Sequence, residues 1–215
     1  MTDGCAIITA TLRAENCGQQ LTSLNQVVRG SLYSQSIPNG VTVTGYRFRV
    51  TNLLTNAVRI VDRSNYVFQL TYTDFAEYDT PYSVEVALRL NQEWMEVYGA
   101  PCTITTPGVP NTVLTSTSCG ATLVQMNNII RAEVVPSALN YEYNVALIEG
   151  GFPVATTTFV RSGASFNLLQ LTGIPIKFGA EYSVTLRVDV APSPGPQWSA
   201  VAGAAGSVLP PFALA

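Results

Sequence analysis

Histidine is absent from the sequence. Its absence excludes the Ser/His/Asp triad, the Cys/His pair, the HExxH zinc site and most other zinc ligand sets, because each of them needs an imidazole. Hydrolysis by two converging carboxylates is not excluded, but no pair of acids in the sequence is forced together. We therefore predict a protein that is not an enzyme and has no catalytic residues, metal ligands or cofactors.

Charged residues are scarce as well. They make up 12% of the 215 residues, which is roughly half of the usual share. Ten arginines and a single lysine, Lys177, leave a net charge of −3 and form no basic run. Nucleic-acid binding by phosphate neutralisation is therefore not expected. The low charge instead predicts contact surfaces that are buried in an assembly.

Signals for export and for membrane insertion are also missing. The N-terminus, MTDGCAIITATL, lacks the positive and the long apolar regions of a signal peptide. Either the protein is used without export through a leader, or a leader has been removed. The uncharged stretch at residues 191–215 contains five prolines among many small residues, so we do not expect a membrane-spanning helix there.

What the sequence does contain is a tandem repeat of about one hundred residues. Three blocks recur in order: L-x4-C-G-x2-L-x2-L/M at 12–24 and 114–126, YRFRV and YEYNV at 46–50 and 141–145, and a segment opening with Tyr-Ser-Val at Tyr82 and Tyr182. The last two blocks alternate apolar and polar residues with period two, which is typical of strands. Short runs of this kind, bounded by Pro, Gly, Asn and Asp, predict an all-β chain.

One of these blocks, FGAEYSVTLRV, resembles strands E and F of a fibronectin type III module, and EYDTPYSVEVALRL resembles a second copy. The resemblance implies two tandem antiparallel β-sandwiches of the fibronectin type III or immunoglobulin-like class. It also implies that Tyr82 and Tyr182 are tyrosine corners, which pin the crossing between the two strands. The tryptophan usual in strand B of the family is missing, and the Cys-Gly block stands in its place. The fuller pattern, over about residues 5–205, resembles repeats in surface and secreted proteins of gliding-type bacteria and modules on phage virions.

The repeat also sets the expected domain boundaries. We expect an N-terminal arm at 1–8, one module at 9–106, a second module at 107–206 and a C-terminal arm at 207–215. The first module carries extra length in a Pro/Asn/Gly-rich loop, which is either a binding loop or a neutral insertion. The candidate residues for that loop are Tyr33, Ile37, Pro38 and Asn39. The candidates for an assembly arm that packs on a neighbouring subunit are Leu209, Pro210, Pro211, Phe212 and Leu214.

The four cysteines, Cys5, Cys17, Cys102 and Cys119, allow three pairings. The repeat favours bridges across the junctions, Cys5–Cys17 and Cys102–Cys119, because CAIIT at Cys5 resembles CTITT at Cys102 and no cysteine is then left over. Pairing within the first module, Cys17–Cys102, would leave the other two unpaired. Metal binding is not expected, since the paired CxxC of a zinc ribbon is missing. Disulfides predict a protein that works outside a reducing cytosol.

Three groups of residues are candidates for ligand binding. The segment at 72–79 combines acids and aromatics, as a calcium or sugar site would, but the second copy has lost most of the acids, which favours a solvated loop. Trp94 and Trp198 are either core residues near the last strand, which we favour, or exposed platforms for carbohydrate. Arg47 and Arg49 alternate with apolar residues, so we expect a solvated sheet face whose arginine stems cover apolar surface.

Together these features predict a non-enzymatic structural or adhesive protein. The favoured form is a phage virion component, such as a capsid decoration, fibre or tail-associated subunit, made in the host cytoplasm and oxidised after lysis. The alternatives are a module pair of a secreted bacterial cell-surface adhesin and a carbohydrate-binding module. The expected partners are copies of the chain or other virion or surface proteins, and a host-surface glycan is a further candidate.

Overall fold

The computed structural model describes residues 8–32, 40–190, 197–201 and 206–210. The chain forms two compact units that divide between Gly108 and Val109, which we call the first and the second module. Both consist mainly of antiparallel strands, with three-residue 3₁₀ turns, so the predicted all-β class of two tandem sandwiches is confirmed. Some predicted features lie outside the described residues: Cys5 with the arm up to residue 7, and the loop residues Tyr33, Ile37, Pro38 and Asn39.

The first module contains eight strands: β1 (Ala10–Leu12), β2 (Val28–Leu32), β3 (Val43–Asn52), β4 (Val58–Arg63), β5 (Val67–Phe68), β6 (Pro81–Leu90), β7 (Glu93–Trp94) and β8 (Cys102–Thr105). The pairing path runs β4–β3–β6–β1–β2–β5, and β7 and β8 also pair with β6. A single residue pair, Ala10 opposite Val86, joins β1 to β6. The path therefore folds there into two layers, with β4, β3, β6 and β8 facing β1, β2 and β5.

The second module also contains eight strands: β9 (Ala121–Thr122), β10 (Ile130–Arg131), β11 (Ala138–Glu149), β12 (Phe152–Arg161), β13 (Ser165–Phe166), β14 (Glu181–Val190), β15 (Gln197–Trp198) and β16 (Gly206–Leu209). Its larger sheet runs β12–β11–β14–β16–β9, with β15 added to β14, and β10 pairs with β13. Gly150 and Gly151 both have positive φ, as a two-residue type I′ hairpin requires. These two glycines thus form the tight connection between β11 and β12, in which Glu149 lies opposite Phe152.

The sequence repeat is also a repeat of strand register. Val50 lies opposite Val84 in the first module, and Val145 lies opposite Val184 in the second. In the first core the rings of Phe48 and Phe68 stack with centroids 5.0 Å apart, and in the second the corresponding rings of Tyr143 and Phe166 lie 4.9 Å apart. Each module therefore buries its own aromatic core, and burial of such a side chain contributes about 1.5–3 kcal/mol.

The Cys-Gly motif marks the point at which the chain crosses from one sheet of a module to the other. Gly18 and Gly120 have φ of 75° and 72°, a left-handed conformation that glycine adopts without steric cost. The N–H of Gly18 donates to the carbonyl of Thr103 at 2.8 Å, and the N–H of Gly120 donates to the carbonyl of Ser207 at 2.7 Å. After the turn, the chain runs parallel to the last strand of its own module, β8 or β16.

This crossing decides the cysteine pairing. Cys17 faces β8 and forms a disulfide with Cys102, with the two Cα atoms 5.3 Å apart. The predicted pairs Cys5–Cys17 and Cys102–Cys119 are therefore wrong, because the sulfur atoms of Cys17 and Cys102 are bonded to each other. The prediction assumed bridges across the junctions, whereas the glycine turn carries each Cys-Gly block to the last strand of its own module. Cys119 is a free, exposed thiol, and Gly206 of β16 occupies the position that corresponds to Cys102.

The predicted C-terminal arm begins inside the second sandwich. Gly206–Leu209 form β16, which pairs with both β14 and β9, and Pro210 is buried. The module thus extends at least to Leu209, whereas the sequence repeat had placed its end at residue 206. The remaining arm residues lie outside the described part of the chain: Pro211, Phe212 and Leu214.

Candidate interaction surface

The two tyrosines predicted to form corners make equivalent backbone hydrogen bonds. The Tyr82 hydroxyl donates to the carbonyl of Phe75 at 2.8 Å and accepts from the N–H of Glu77 at 2.9 Å. The Tyr182 hydroxyl bonds to two backbone groups of the loop before β14 at the same distances. Both tyrosines are fully buried. These bonds tie each strand start to the loop that precedes it, as the family resemblance implies for a tyrosine corner.

Replacement of Tyr82 by phenylalanine should lower the free energy of unfolding of the first module by about 1–3 kcal/mol, because the N–H of Glu77 loses its buried partner. Burial raises the pKa of Tyr82 to about 12 from 10.0. The folded state therefore disfavours the phenolate, and this contribution to stability is complete below pH 10 and is lost between about pH 10 and pH 12.

Urea unfolding followed by tryptophan fluorescence at pH 8 and at pH 11.5 measures both effects. Since the variant has no hydroxyl to ionise, the difference in stability between wild type and Y82F should shrink at the higher pH. A constant difference would show that the Tyr82 hydroxyl does not titrate as its burial requires.

The most prominent side-chain cluster on the surface lies on the outer side of the first module's four-stranded sheet. We call it the arginine face and define it as Arg47, Arg49, Arg89, Trp94 and Tyr98. The Arg47 guanidinium makes two hydrogen bonds to the Asp62 carboxylate, at 2.7 and 2.8 Å, and lies 4.3 Å from the centre of the Trp94 ring. A cation–π contact of this kind at a partly exposed site contributes about 0.5–1 kcal/mol.

The second arginine of the face repeats this arrangement. Arg49 makes two hydrogen bonds to Glu85, at 2.7 and 2.6 Å, and its guanidinium lies 4.1 Å from the Tyr98 ring. The hydrogen bonds to the carboxylates raise the pKa of both Arg47 and Arg49. Because the pairs are partly solvated and screened, each contributes only about 0–1 kcal/mol to stability. The two carboxylates therefore neutralise Arg47 and Arg49 within the face.

A groove of about 190 Å³ opens beside Trp94. Its lining includes Asp62, Arg63 and Arg89, and neither arginine forms an ion pair within the described residues. The Trp94 ring covers Gly45, where a Cβ would lie 3.3 Å from the ring edge. The Arg89 guanidinium beside the indole suits a small anionic or hydroxyl-bearing group, such as part of a glycan. The Arg63 guanidinium instead lies 4.4 Å from the centre of the Tyr72 ring.

The favoured prediction of core positions for Trp94 and Trp198 is wrong. Both are half-buried and lie on the outer side of their sheets, with Arg187 5.0 Å from the Trp198 ring. Each lies in a two-residue strand, β7 or β15, that pairs with the end of β6 or β14. Arg89, whose guanidinium lies 5.6 Å from the centre of the Trp94 ring, was not found from the sequence. The signal that existed was the alternation of Arg47 and Arg49, which does place them on the outer face.

In the acidic and aromatic segment at 72–79, acids and rings have partners within the first module. Asp74 pairs with Arg59 at 2.5 Å, and Phe75 belongs to the core. Among the described residues no group of three His, Cys, Asp or Glu side chains could hold a metal ion. The described residues also include no helix that is long and apolar enough to cross a membrane.

The corresponding face of the second module carries little charge. Glu142 pairs with Arg187 through two hydrogen bonds of 2.6 and 3.0 Å. Asn144 stands where the first module has Arg49, and it donates to the hydroxyl of Thr158 at 2.9 Å. Beside them, β12 exposes uncharged side chains along its length. The two modules thus share a fold but present chemically different outer faces.

No protein-family model matches the chain, and no curated protein matches it. Among solved structures it is similar to a segment of two fibronectin type III domains from chicken tenascin, with 14% identity and a TM-score of 0.38, over 86% of this chain and 93% of that one. It is also similar to domains FN1–FN3 of chicken CNTN1, with 16% identity and a TM-score of 0.29, over 94% of this chain. The chain spans 64% of that structure's length. The strand order of each module and its buried tyrosine are features of the chain itself that fit the fibronectin type III-like class.

Proposed function

We propose that this chain is a non-enzymatic structural or adhesive protein and, more specifically, a phage virion component that serves as a capsid decoration, fibre or tail-associated subunit. The observation that carries the proposal is the exposed apolar surface along β12, where Phe152, Val154 and Val160 expose 74%, 53% and 51% of their surface. Apolar side chains grouped in this way on a charge-poor protein mark a surface for contact with other subunits.

The internal construction of the modules supports a mechanical rather than a catalytic role. Each module fixes one corner with a buried tyrosine, and the first also links the turn after β1 to its last strand, β8, through Cys17 and Cys102. A structural disulfide favours a location outside the reducing cytosol. A particle released from its host and a cell surface both meet that condition.

Two alternatives remain open. A module pair of a secreted bacterial adhesin would have the same fold and the same disulfide. A carbohydrate-binding module would use an aromatic platform, but Arg47 already lies over Trp94, which makes this role less favoured. The groove beside Trp94 is a candidate binding site for a host-surface glycan, and a structural protein could use it as well.

Gold-labelled antibodies raised against the purified chain distinguish these locations by electron microscopy of the source culture. We expect label on released particles, with cells of a strain lacking the gene as the negative control. Label on the cell envelope instead would favour the adhesin. Label on neither structure would contradict a structural role in both settings.

A further inference from the structure

The strand β12 is a long sheet edge. It runs for ten residues, Phe152–Arg161, and within the described residues it pairs with β11 alone. Its other side therefore presents backbone N–H and C=O groups at alternate residues, which is the template that a further strand needs.

Beyond its first three residues, the edge lacks the features that usually prevent pairing. From Phe152 to Val160 no side chain is charged, whereas natural edge strands are commonly protected by charged residues, proline or bulges. Pro153 removes one N–H at the start of the strand, and Val154 is a bulge in β12, because Leu147 and Ile148 lie opposite Ala155 and Pro153. The stretch from Ala155 to Val160 is unprotected.

The equivalent edge of the first module is protected. Strand β4 has six residues, and three of them, Arg59, Asp62 and Arg63, are charged. Arg59 is paired with Asp74, and Asp62 is paired with Arg47. The two edges occupy the same place in the fold, so the difference lies in the side chains and not in the topology.

The edge β12 is also held rigidly from behind. The Phe159 ring stacks on Tyr143 and meets Phe166 edge-on, with centroids 5.3 Å apart in both contacts. The Thr157 hydroxyl donates to the carbonyl of Thr172 at 2.8 Å. A strand ordered in advance loses little conformational entropy when a partner strand is added.

We propose that β12 is a self-association edge, on which β12 of a second copy of this chain pairs antiparallel about a two-fold axis at Thr156. This register is centred on the regular part of the strand and is self-complementary. It places Ala155 opposite Thr157 of the second copy and Thr156 opposite itself. Thr with Thr is a favourable cross-strand pair, and an isologous contact of this kind closes after two copies.

The inference rests on the proposed structural role, and it identifies β12 as the contact through which such a subunit would associate with another copy. Pairing along one edge buries little surface, so we expect weak association, with a dissociation constant on the order of 100 µM. In a particle with many copies of the chain, many such weak contacts would act together and give a higher overall avidity.

The test is the molar mass of the full chain by sedimentation equilibrium from about 10 µM to about 1 mM. Every sample carries Cys5→Ser and Cys119→Ser, so that a cross-link through the thiols outside the Cys17–Cys102 bridge cannot imitate the contact. We expect a monomer–dimer equilibrium for this reference protein. The Thr156→Lys variant places two lysines opposite each other on the axis and should weaken dimerisation about tenfold or more.

The matched control is Val58→Lys in β4. Val58 and Thr156 correspond because their neighbours on the adjacent strand, Thr51 and Ala146, each lie opposite a serine of the next strand. This control should dimerise like the reference protein. An equimolar mixture of Thr156→Lys and Thr156→Glu variants should recover the dimer, which a misfolded variant could not do.

A chain that stays monomeric at about 1 mM overturns the proposal, and so does a dimer that Val58→Lys breaks and Thr156→Lys leaves intact. Neither result affects the particle-labelling test, because a subunit can join a virion through another surface. Failure of the edge and failure of the structural role are therefore separate outcomes.

Discussion

Replacement of both Cys17 and Cys102 by alanine should lower the free energy of unfolding of the first module by about 4–5 kcal/mol in the chain-entropy account of disulfides. The two cysteines are 85 residues apart in sequence, so the bridge closes nearly the whole module and removes much of the freedom of its unfolded chain. Alanine is the better replacement because Cys102 is buried and a serine hydroxyl would add an unpaired polar group.

The experiment can separate the two modules because each contains one of the two tryptophans. In a Trp198→Phe background, the fluorescence change during urea unfolding reports the first module through Trp94. Cys119→Ser is the matched control and should leave the midpoint nearly unchanged, since its thiol is free and exposed. If the double alanine variant unfolds at the wild-type midpoint, the bridge does not stabilise the module as this account requires.

The second module should gain a disulfide from one substitution, Gly206→Cys. Gly206 lies opposite Val184 as Cys102 lies opposite Val84, and a Cβ built on Gly206 lies 3.3 Å from the sulfur of Cys119. The new bridge would close a loop of nearly the same length as the natural one. The same Cβ would lie 2.6 Å from a terminal methyl group of Leu114, so that side chain must rotate, and we expect a net gain of about 2–4 kcal/mol.

Thiol titration of the denatured protein provides a direct readout, because the oxidised variant should have one free thiol fewer than the wild type. Stability is measured in a Trp94→Phe background, where Trp198 reports the second module. The double variant Gly206→Cys/Cys119→Ser isolates the crowding at Leu114 and should be slightly less stable than the Cys119→Ser protein. An extra free thiol, with no rise in stability, would falsify the proposed equivalence of Gly206 and Cys102.

Much of the fold could be predicted because its determinants are local. Alternation with period two places Phe48 inward and Arg47 outward, whichever strands lie on either side. The recurrence of Tyr82 as Tyr182 marks the same corner twice, and that corner depends on a loop only five to seven residues upstream. Predictions of this kind need no knowledge of how distant strands are arranged.

The incorrect predictions concern residues whose place depends on the path of the chain. Cys17 and Cys119 lie at equivalent positions of the sequence repeat. The disulfide partner of Cys17, however, depends on the strand to which the turn at Gly18 leads the chain. Trp94 has an apolar ring typical of a core, yet it lies outside because β7 is a short strand that pairs with the end of β6. The absence of charge in β12 is visible in the sequence. It indicates an unprotected pairing edge only when the strand order shows that β12 lies at the edge of its sheet.

The natural disulfide also determines how the chain would respond to tension. A pulling force along the chain enters the first module near Cys17, passes through the sulfur–sulfur bond and leaves near Cys102, so the intervening residues carry no load. Those residues could otherwise be drawn out to about 300 Å of extended chain. The second module has Gly206 in place of that bond, so its strands bear the force themselves. Under tension the first module would therefore keep its length, whereas the second module would unfold and extend. In any fibre built from this chain, the second module would take up the extension.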